Sequence, residues 1–169
     1  KRYYITSINS QAFAEKKNIK TIEFPPDSKL QIICENAFYG TLIESISLPS
    51  NIELENGWSV GADKLKEIKI FQREEKNIDF IENKFLIGKT DKKQDNFDIL
   101  LFVSPEVETF TIPSFITVIG PYCLKNKSFQ NFVIPSQITS IKRYAFMNCK
   151  KLKNVEFQKN SNLKKIEQF

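Results

Sequence analysis

An apolar pattern repeats along this chain at almost constant intervals. Each copy has an apolar residue, two variable residues, a second apolar residue, one variable residue and a third apolar residue, often followed by proline. The central apolar residues of the six copies are Ile22, Ile46, Ile68, Phe110, Phe132 and Val155. Successive copies are 22 to 24 residues apart, except for the 42 residues between Ile68 and Phe110. A regular interval of this length predicts a stack of similar coils.

The alternation within each copy is typical of a short β-strand with one buried face. The proline that often follows has no N–H group, so it ends the hydrogen bonding of the strand. A single coil has too few apolar side chains to offset the conformational entropy that it loses on folding. We therefore expect the coils to be stable only when they stack and share a core.

A second pattern lies between the strand copies. Two apolar residues stand three positions apart, and the second is followed four residues later by an Ala-Phe pair or its equivalent, in the segments 5–13, 30–38, 116–124 and 138–146. The copy at 52–58 is shorter. We interpret this pattern as the return of each coil. An interval of roughly 20 to 29 residues is typical of leucine-rich repeats, so the predicted fold is a β-rich leucine-rich-repeat solenoid with short parallel strands stacked coil on coil and turns or 3-10 segments on the return.

The long interval between Ile68 and Phe110 contains no standard repeat. Residues 84–89 and 97–103 are apolar runs on either side of a polar stretch at 90–96, which predicts two strands around a turn. We predict one inserted β-hairpin at about 78–106. The predicted domain is a single solenoid fragment, 1–169, with repeats at about 4–70 and 107–169.

These motifs resemble the BspA-like leucine-rich-repeat family, whose units have the form L-x-x-I-x-I-P-x-x-V-x-x-I-G-x-x-A-F-x-x-C. The segment from Ile141 to Cys149 matches the second half of that unit, and Ile119-Gly120 supplies its Ile-Gly step. The third repeat departs from it, with Gly57-Trp58 in place of Ala-Phe. The resemblance implies the solenoid fold, a role in protein interaction or adhesion, and a place at the cell surface or secretion, most often in bacteria and anaerobic protist parasites.

Composition excludes several classes of function. The chain has no histidine, which removes the most common general base and the commonest metal ligand. Its three cysteines form no Cys-x-x-Cys pair, so we predict no metal site, no cofactor and no catalytic residues. The net charge of +5 arises from 25 basic and 20 acidic residues, which does not indicate nucleic-acid binding. No apolar run approaches the roughly 20 residues that a transmembrane segment needs.

Repeat proteins usually bind partners through the free positions of their main strands. Lys20, Glu44 and Lys66 alternate in charge on successive strands and are predicted to pair across them. No set of equivalent positions on successive strands has stacked aromatic residues or uniform charge, so a protein partner is the preferred interpretation. The predicted interaction surface consists of Lys20, Thr21, Glu23, Glu44, Ser45, Ser47, Lys66, Glu67, Lys69, Glu108, Thr109, Thr111, Gln130, Asn131, Val133, Lys153, Asn154 and Glu156.

The C-terminal third is rich in basic residues. It contains Lys142, Arg143, Lys150, Lys151, Lys153, Lys159, Lys164 and Lys165. One interpretation is a surface for an acidic partner; the other is an edge whose charges are only solvated.

Two hypotheses for function follow. The first is a non-enzymatic protein-interaction or adhesion module at the cell surface. The alternative is a structural or scaffold component of a large intracellular assembly, cytoplasmic or cytoskeletal. Both ends of the chain fall inside a repeat without a polar capping unit, which predicts that it is a piece of a longer protein.

Overall fold

Short strands are the regular structure of this protein. The computed structural model describes residues 4–168, and within that range it has fourteen strands and no helix, hence none long and apolar enough to cross a membrane. The chain folds into two compact units, residues 1–83 and 84–169. The predicted span of one solenoid over 1–169 stays a prediction, and its ends, Lys1–Tyr3 and Phe169, lie outside the described residues.

The first unit contains two parallel ladders. Its strands are β1 (Ser7–Ile8), β2 (Thr21–Ile22), β3 (Ile32–Ile33), β4 (Ser45–Pro49), β5 (Glu53–Leu54), β6 (Glu67–Phe71) and β7 (Ile78–Ile81). The main strands pair in the order β2-β4-β6, with Ile22, Ile46 and Ile68 in register. The apolar alternation therefore places the central residue of each coil at the same level of the core, and Ile46 and Ile68 are buried.

The return of each coil also carries a strand. Strands β1, β3 and β5 form their own parallel ladder, in which Ile8, Ile33 and Leu54 are in register. The prediction of one strand and a turn in each coil was therefore incomplete. Ile8 and Ile33, each the second apolar residue of its return pattern, are buried. Their burial fixes the flanking backbone where it can pair with that of the next coil.

The second unit contains the predicted hairpin. Its strands are β8 (Phe85–Gly88), β9 (Ile99–Val103), β10 (Val118–Ile119), β11 (Asn131–Ile134), β12 (Ser140–Ile141), β13 (Asn154–Phe157) and β14 (Lys165–Ile166). Strands β8 and β9 are antiparallel, with a bulge between Leu86 and Ile87, which confirms the hairpin. Strand β9 also pairs in parallel with β10 and so takes the place of a return strand in the order β14-β12-β10-β9-β8.

The main ladder of the second unit has only two strands, β11 and β13. The predicted strand at 107–112 is not formed, although Phe110 and Ile112 still face inward. After β9 the chain enters a turn in which the Val107 N–H donates to the Ser104 carbonyl oxygen. The chain thus arrives at position 108 from a turn rather than from the return of a regular coil, and it does not pair with β11.

The Gly57-Trp58 pair occupies different positions from those that the repeat pattern indicates. Gly57 has a φ of 83° and stands three residues after Leu54, as Asn36, with a φ of 57°, stands three after Ile33. Trp58 therefore takes the position of Ala37 rather than that of Phe38. The turn requires a left-handed residue at this point, which glycine adopts without a steric penalty.

Candidate functional site: an open groove beside strand β11

Charged residues on the main sheet of the first unit pair with one another. The Lys20 ammonium lies 3.3 Å from the Glu44 carboxylate, and the Lys66 ammonium lies 3.9 Å from the same carboxylate. These contacts confirm the predicted cross-strand pairs. On strand β6, Lys69 and Glu67 form a further ion pair at 3.5 Å.

The hydroxyl groups of this face are also occupied. Ser45 donates to Thr21 across the strands at 3.2 Å. Ser47 is buried, and its hydroxyl accepts from the Phe24 N–H at 2.7 Å and donates to the Phe24 carbonyl oxygen at 3.2 Å. Ser47 therefore completes the backbone of its own sheet, whereas Glu23 is exposed. This face of the first unit satisfies most of its polar groups internally.

The predicted residues of the second unit lie on three neighbouring segments. Lys153, Asn154 and Glu156 are exposed at β13, where the Asn154 amide donates to Asn131 at 2.8 Å. Gln130 and Val133 are exposed at β11, and the Val133 side chain is 47% accessible. The remaining three residues belong to the segment that fails to form a strand.

Glu108, Thr109 and Thr111 are exposed on this unpaired segment. Within residues 4–168, their side chains make no hydrogen bond or ion pair. They differ in this from Lys20, Glu44 and Lys66 of the first unit, which pair with one another. The segment therefore presents polar groups that are free to bind a partner.

Two adjoining cavities lie between the unpaired segment and β11. One, of about 370 Å³, is lined by the segment 108–112, by residues of β11, and by Phe129, Pro135 and Gln158. The other, of about 540 Å³, extends towards Pro105, Lys127 and Lys151. The two cavities share four lining residues, namely Glu108, Thr109, Phe129 and Asn131. We call the combined depression the β11 groove; it brings together six predicted surface residues, namely Glu108, Thr109, Thr111, Gln130, Asn131 and Val133.

One edge of β11 faces the groove with unpaired backbone groups. The carbonyl oxygens of Gln130 and Ile134 accept from β13 and the residue that follows it, at 3.2 and 3.0 Å. In a parallel ladder, alternate residues direct their backbone groups to opposite sides. The N–H and C=O groups of Asn131 and Val133 therefore point away from β13, and no backbone hydrogen bond joins them to 108–112 in the described structure.

Lys127 holds the end of the groove, and the sequence patterns did not identify it. Its side chain is only 5% exposed, and its ammonium donates to the carbonyl oxygens of Ser104 and Val107. Burial lowers the pKa of this amine to about 8. Lys127 stands four residues after Cys123, at the position where the next coil has Cys149, and an amine in the cysteine position of the repeat was the available signal.

The cysteines are separate thiols. Cys149 donates to the Leu124 carbonyl oxygen at 3.1 Å, while Cys123 is fully buried and desolvation raises its pKa. Cys34 is half-buried, and all three are free. No group of three possible metal ligands occurs in the part of the chain that the structure describes.

The basic C-terminal region is partly neutralised by one acidic residue. The Glu167 carboxylate lies 2.9 Å from the Lys165 ammonium and 3.3 Å from the Lys142 ammonium, and it accepts from the Arg143 N–H at 3.3 Å. The Lys165 hydrogen bond, together with Lys142, lowers the pKa of Glu167 to about 2 against the opposing effect of desolvation. Two of the basic residues are thus already paired.

Solved structures of bacterial repeat proteins share this fold. A leucine-rich cell surface protein from Faecalibacterium prausnitzii is 21% identical, with a TM-score of 0.66 over 90% of this chain and 45% of that one. A leucine-rich-repeat protein from Eubacterium ventriosum is 20% identical, with a TM-score of 0.65 over 97% and 57% of the two chains. One from Bacteroides ovatus is 14% identical, with a TM-score of 0.53 over 98% and 52%. The chain thus spans about half the length of these proteins.

The family comparison covers nearly the whole chain. The BspA type leucine-rich-repeat region matches residues 2–91 and 99–169 in six copies, and the residues between these ranges, 92–98, lie in the loop between β8 and β9. No curated protein sequence matches the chain. With its parallel ladders and six matching copies, the chain belongs to the BspA-type leucine-rich-repeat family.

Proposed function

We propose that this protein is a non-enzymatic interaction or adhesion module that binds a protein partner through the β11 groove. Leucine-rich-repeat folds generally serve protein interaction or adhesion, with each coil contributing to an extended binding surface. The observation that carries this proposal is the groove, which combines apolar lining residues with the exposed, unpaired side chains of Glu108, Thr109 and Thr111. A few polar groups set among apolar ones are typical of a binding site.

The proposed location is the cell surface or the outside of the cell. The F. prausnitzii structure, which has the same fold, is described as that of a cell surface protein. Labelling intact cells with a membrane-impermeant amine reagent tests this location. Labelled protein is the expected result, and labelling only after lysis would contradict it.

The alternative is a scaffold component inside the cell. The three free cysteines are its support, because unpaired thiols are typical of proteins in a reducing compartment. The same labelling experiment separates the two proposals. Label that appears only after lysis supports the scaffold.

Binding through the groove is tested with a display library of protein fragments from the organism that encodes the chain. Fragments are selected on the immobilised protein and then measured against two variants. Val133→Glu places a charge in the groove, and we expect it to weaken binding about tenfold or more. The charge-reversed control, Lys66→Glu with Lys69→Glu, alters the sheet of the first unit and should leave binding unchanged. Loss of binding only in the control would move the site to that sheet.

A further inference from the structure

We propose that the β11 groove binds one extended peptide segment of the partner, which adds to the free edge of β11 as a strand. This inference rests on the proposed function, because it specifies the segment that the same groove would take. Strand addition uses main-chain hydrogen bonds for affinity and alternate side chains for specificity. Each of these requirements has a counterpart at β11.

The main-chain requirement is met at Asn131 and Val133. Their N–H and C=O groups point into the groove and are unpaired, whereas Phe132 and Ile134 pair with β13. An unpaired row of this kind is a template for a further strand.

The corresponding edge in the first unit is occupied. The Ser45 and Glu44 N–H groups donate to the Lys20 carbonyl oxygen at 3.2 and 2.7 Å. Ser45 is in register with Thr21 of β2, so β4 has a neighbouring strand at the edge where β11 has none. Strand β4 thus has a partner on each edge, whereas β11 is paired only with β13, so the repeat pattern alone does not account for the open edge of β11.

The segment at 108–112 covers this edge without bonding to it. It is held through Phe110, whose ring lies 5.6 Å from that of Phe85 and 5.8 Å from that of Phe132. Outward movement of Thr109 and Thr111 breaks no backbone hydrogen bond to β11. The wall of the groove can thus widen for an entering chain more easily than a paired strand could.

The groove also defines the chemistry of the segment. Alternate side chains of an added strand would face Phe110, Phe129 and Phe132, which favours apolar residues at every second position. The side chains between them would lie beside Asn131, Val133 and the Glu108 carboxylate. Because Glu108 is exposed and makes no ion pair within residues 4–168, a lysine or arginine fits there.

The chain itself supplies a suitable probe. The sequence Leu152–Gln158, which includes β13, already pairs with β11 in a parallel ladder and carries a lysine and alternating apolar residues. A synthetic peptide of this sequence is added to the isotopically labelled protein, and amide hydrogen exchange is followed by NMR. We expect exchange at Asn131 and Val133 to slow about tenfold or more on binding. Exchange at Phe132 and Ile134 should stay the same, since these amides are bonded to β13.

Two matched variants separate strand addition from contact through side chains. Val133→Pro removes the N–H that faces the groove but none of the bonds to β13, while Val133→Thr keeps the N–H and the shape of the side chain. We expect the proline variant to weaken peptide binding about tenfold and the threonine variant to change it less than about twofold. Circular dichroism and thermal unfolding show whether both variants are folded.

A modified peptide provides a test on the unaltered protein. N-methylation of alternate residues removes the amides of one edge, so one of the two methylated series should lose binding and the other should keep it. Equal loss in both series, no binding of the plain peptide at millimolar concentration, or displacement of β13 would overturn strand addition.

Failure of this inference differs from failure of the proposed function. Library fragments that lose binding to Val133→Glu but bind Val133→Pro normally would keep the groove as the binding site and reject strand addition. Fragments that bind both variants normally would reject both proposals.

Discussion

The rings of Phe110 and Phe132 lie 5.8 Å apart, although the backbones that carry them share no hydrogen bond in the described structure. Phe13 and Phe38, on successive coils of the first unit, have nearly the same ring separation, 5.7 Å. The core of the second unit thus continues where the ladder outside it is interrupted. Side-chain packing and strand pairing are separable in this repeat, and the β11 groove results from that separation.

Hydrogen exchange tests the open edge in the free protein. Asn131 and Val133 should exchange about tenfold or more faster than Phe132 and Ile134, because only the second pair donates to another strand. Ser45 is the matched control in the first unit, since it stands where Asn131 stands but donates to Lys20. Equal protection along β11 would show that the segment 108–112 pairs with it.

Truncation of the aromatic core tests the continuity of packing. Phe132 is buried against Phe110, Phe129 and Phe146, so Phe132→Ala should reduce the free energy of unfolding by about 3 to 5 kcal/mol. The control is Phe115→Ala, because Phe115 is 49% exposed, and its cost should stay within about 0.5 kcal/mol. Chemical denaturation measures both. A similar small cost for the two variants would mean that Phe132 is not part of the core.

The buried amine of Lys127 should make the stability of the protein depend on pH in the alkaline range. Its pKa falls from 10.5 to about 8 on folding, so between these values the unfolded state binds more protons than the folded state. Stability from this group therefore increases as the pH rises from about 8 to 10.5 and is constant below. The three cysteine thiols have the opposite effect, because folding raises their pKa values. At alkaline pH the unfolded state loses its thiol protons first, so the stability from these groups falls as the pH rises.

The comparison with Lys127→Met removes the amine together with its effect on Cys123 and Cys149, whose pKa values the ammonium lowers. Loss of that effect makes the variant lose more stability as the pH rises, so it acts in the same direction as loss of the amine. The stability of the wild type minus that of the variant should grow with pH across this window. Urea denaturation at intervals between pH 7 and 10 measures it. A difference that is independent of pH would argue that the amine is solvated rather than buried between Ser104 and Val107.

Glu167 predicts a dependence at acid pH. Its pKa is about 2 in the folded protein against an ordinary value of 4.5, so the stability that it contributes is complete above about 4.5 and is lost as the pH falls towards 2. Glu167→Gln should remove this loss, and Lys165→Gln should reduce it, since the Lys165 hydrogen bond is the main cause of the shift. Thermal unfolding as a function of pH provides the measurement. If the wild type and Glu167→Gln lose stability in parallel below pH 4.5, the ion pairs with Lys142 and Lys165 do not persist in solution.

The sequence was sufficient for the scaffold because the repeat is a local and periodic property. An apolar residue at every second position, in a pattern that recurs every 22 to 24 residues, determines that Ile22, Ile46 and Ile68 align. The polar stretch between two apolar runs determines the hairpin of β8 and β9. The exposed positions of the main strands follow from the same alternation. Ser47 is an exception, because its hydroxyl bonds to the Phe24 backbone in the neighbouring coil.

Only the tertiary structure decided which of those positions form a site. Whether the segment 107–112 becomes a strand depends on the turn after β9 and on Lys127, which reaches carbonyl groups 20 and 23 residues away. In the same way, the number of basic residues in the C-terminal region that are already paired depends on Glu167, which is 25 residues from Lys142. Backbone pairing and burial of charge are set by neighbours in space, and a pattern of apolar residues carries no information about which carbonyl or ammonium group those neighbours supply.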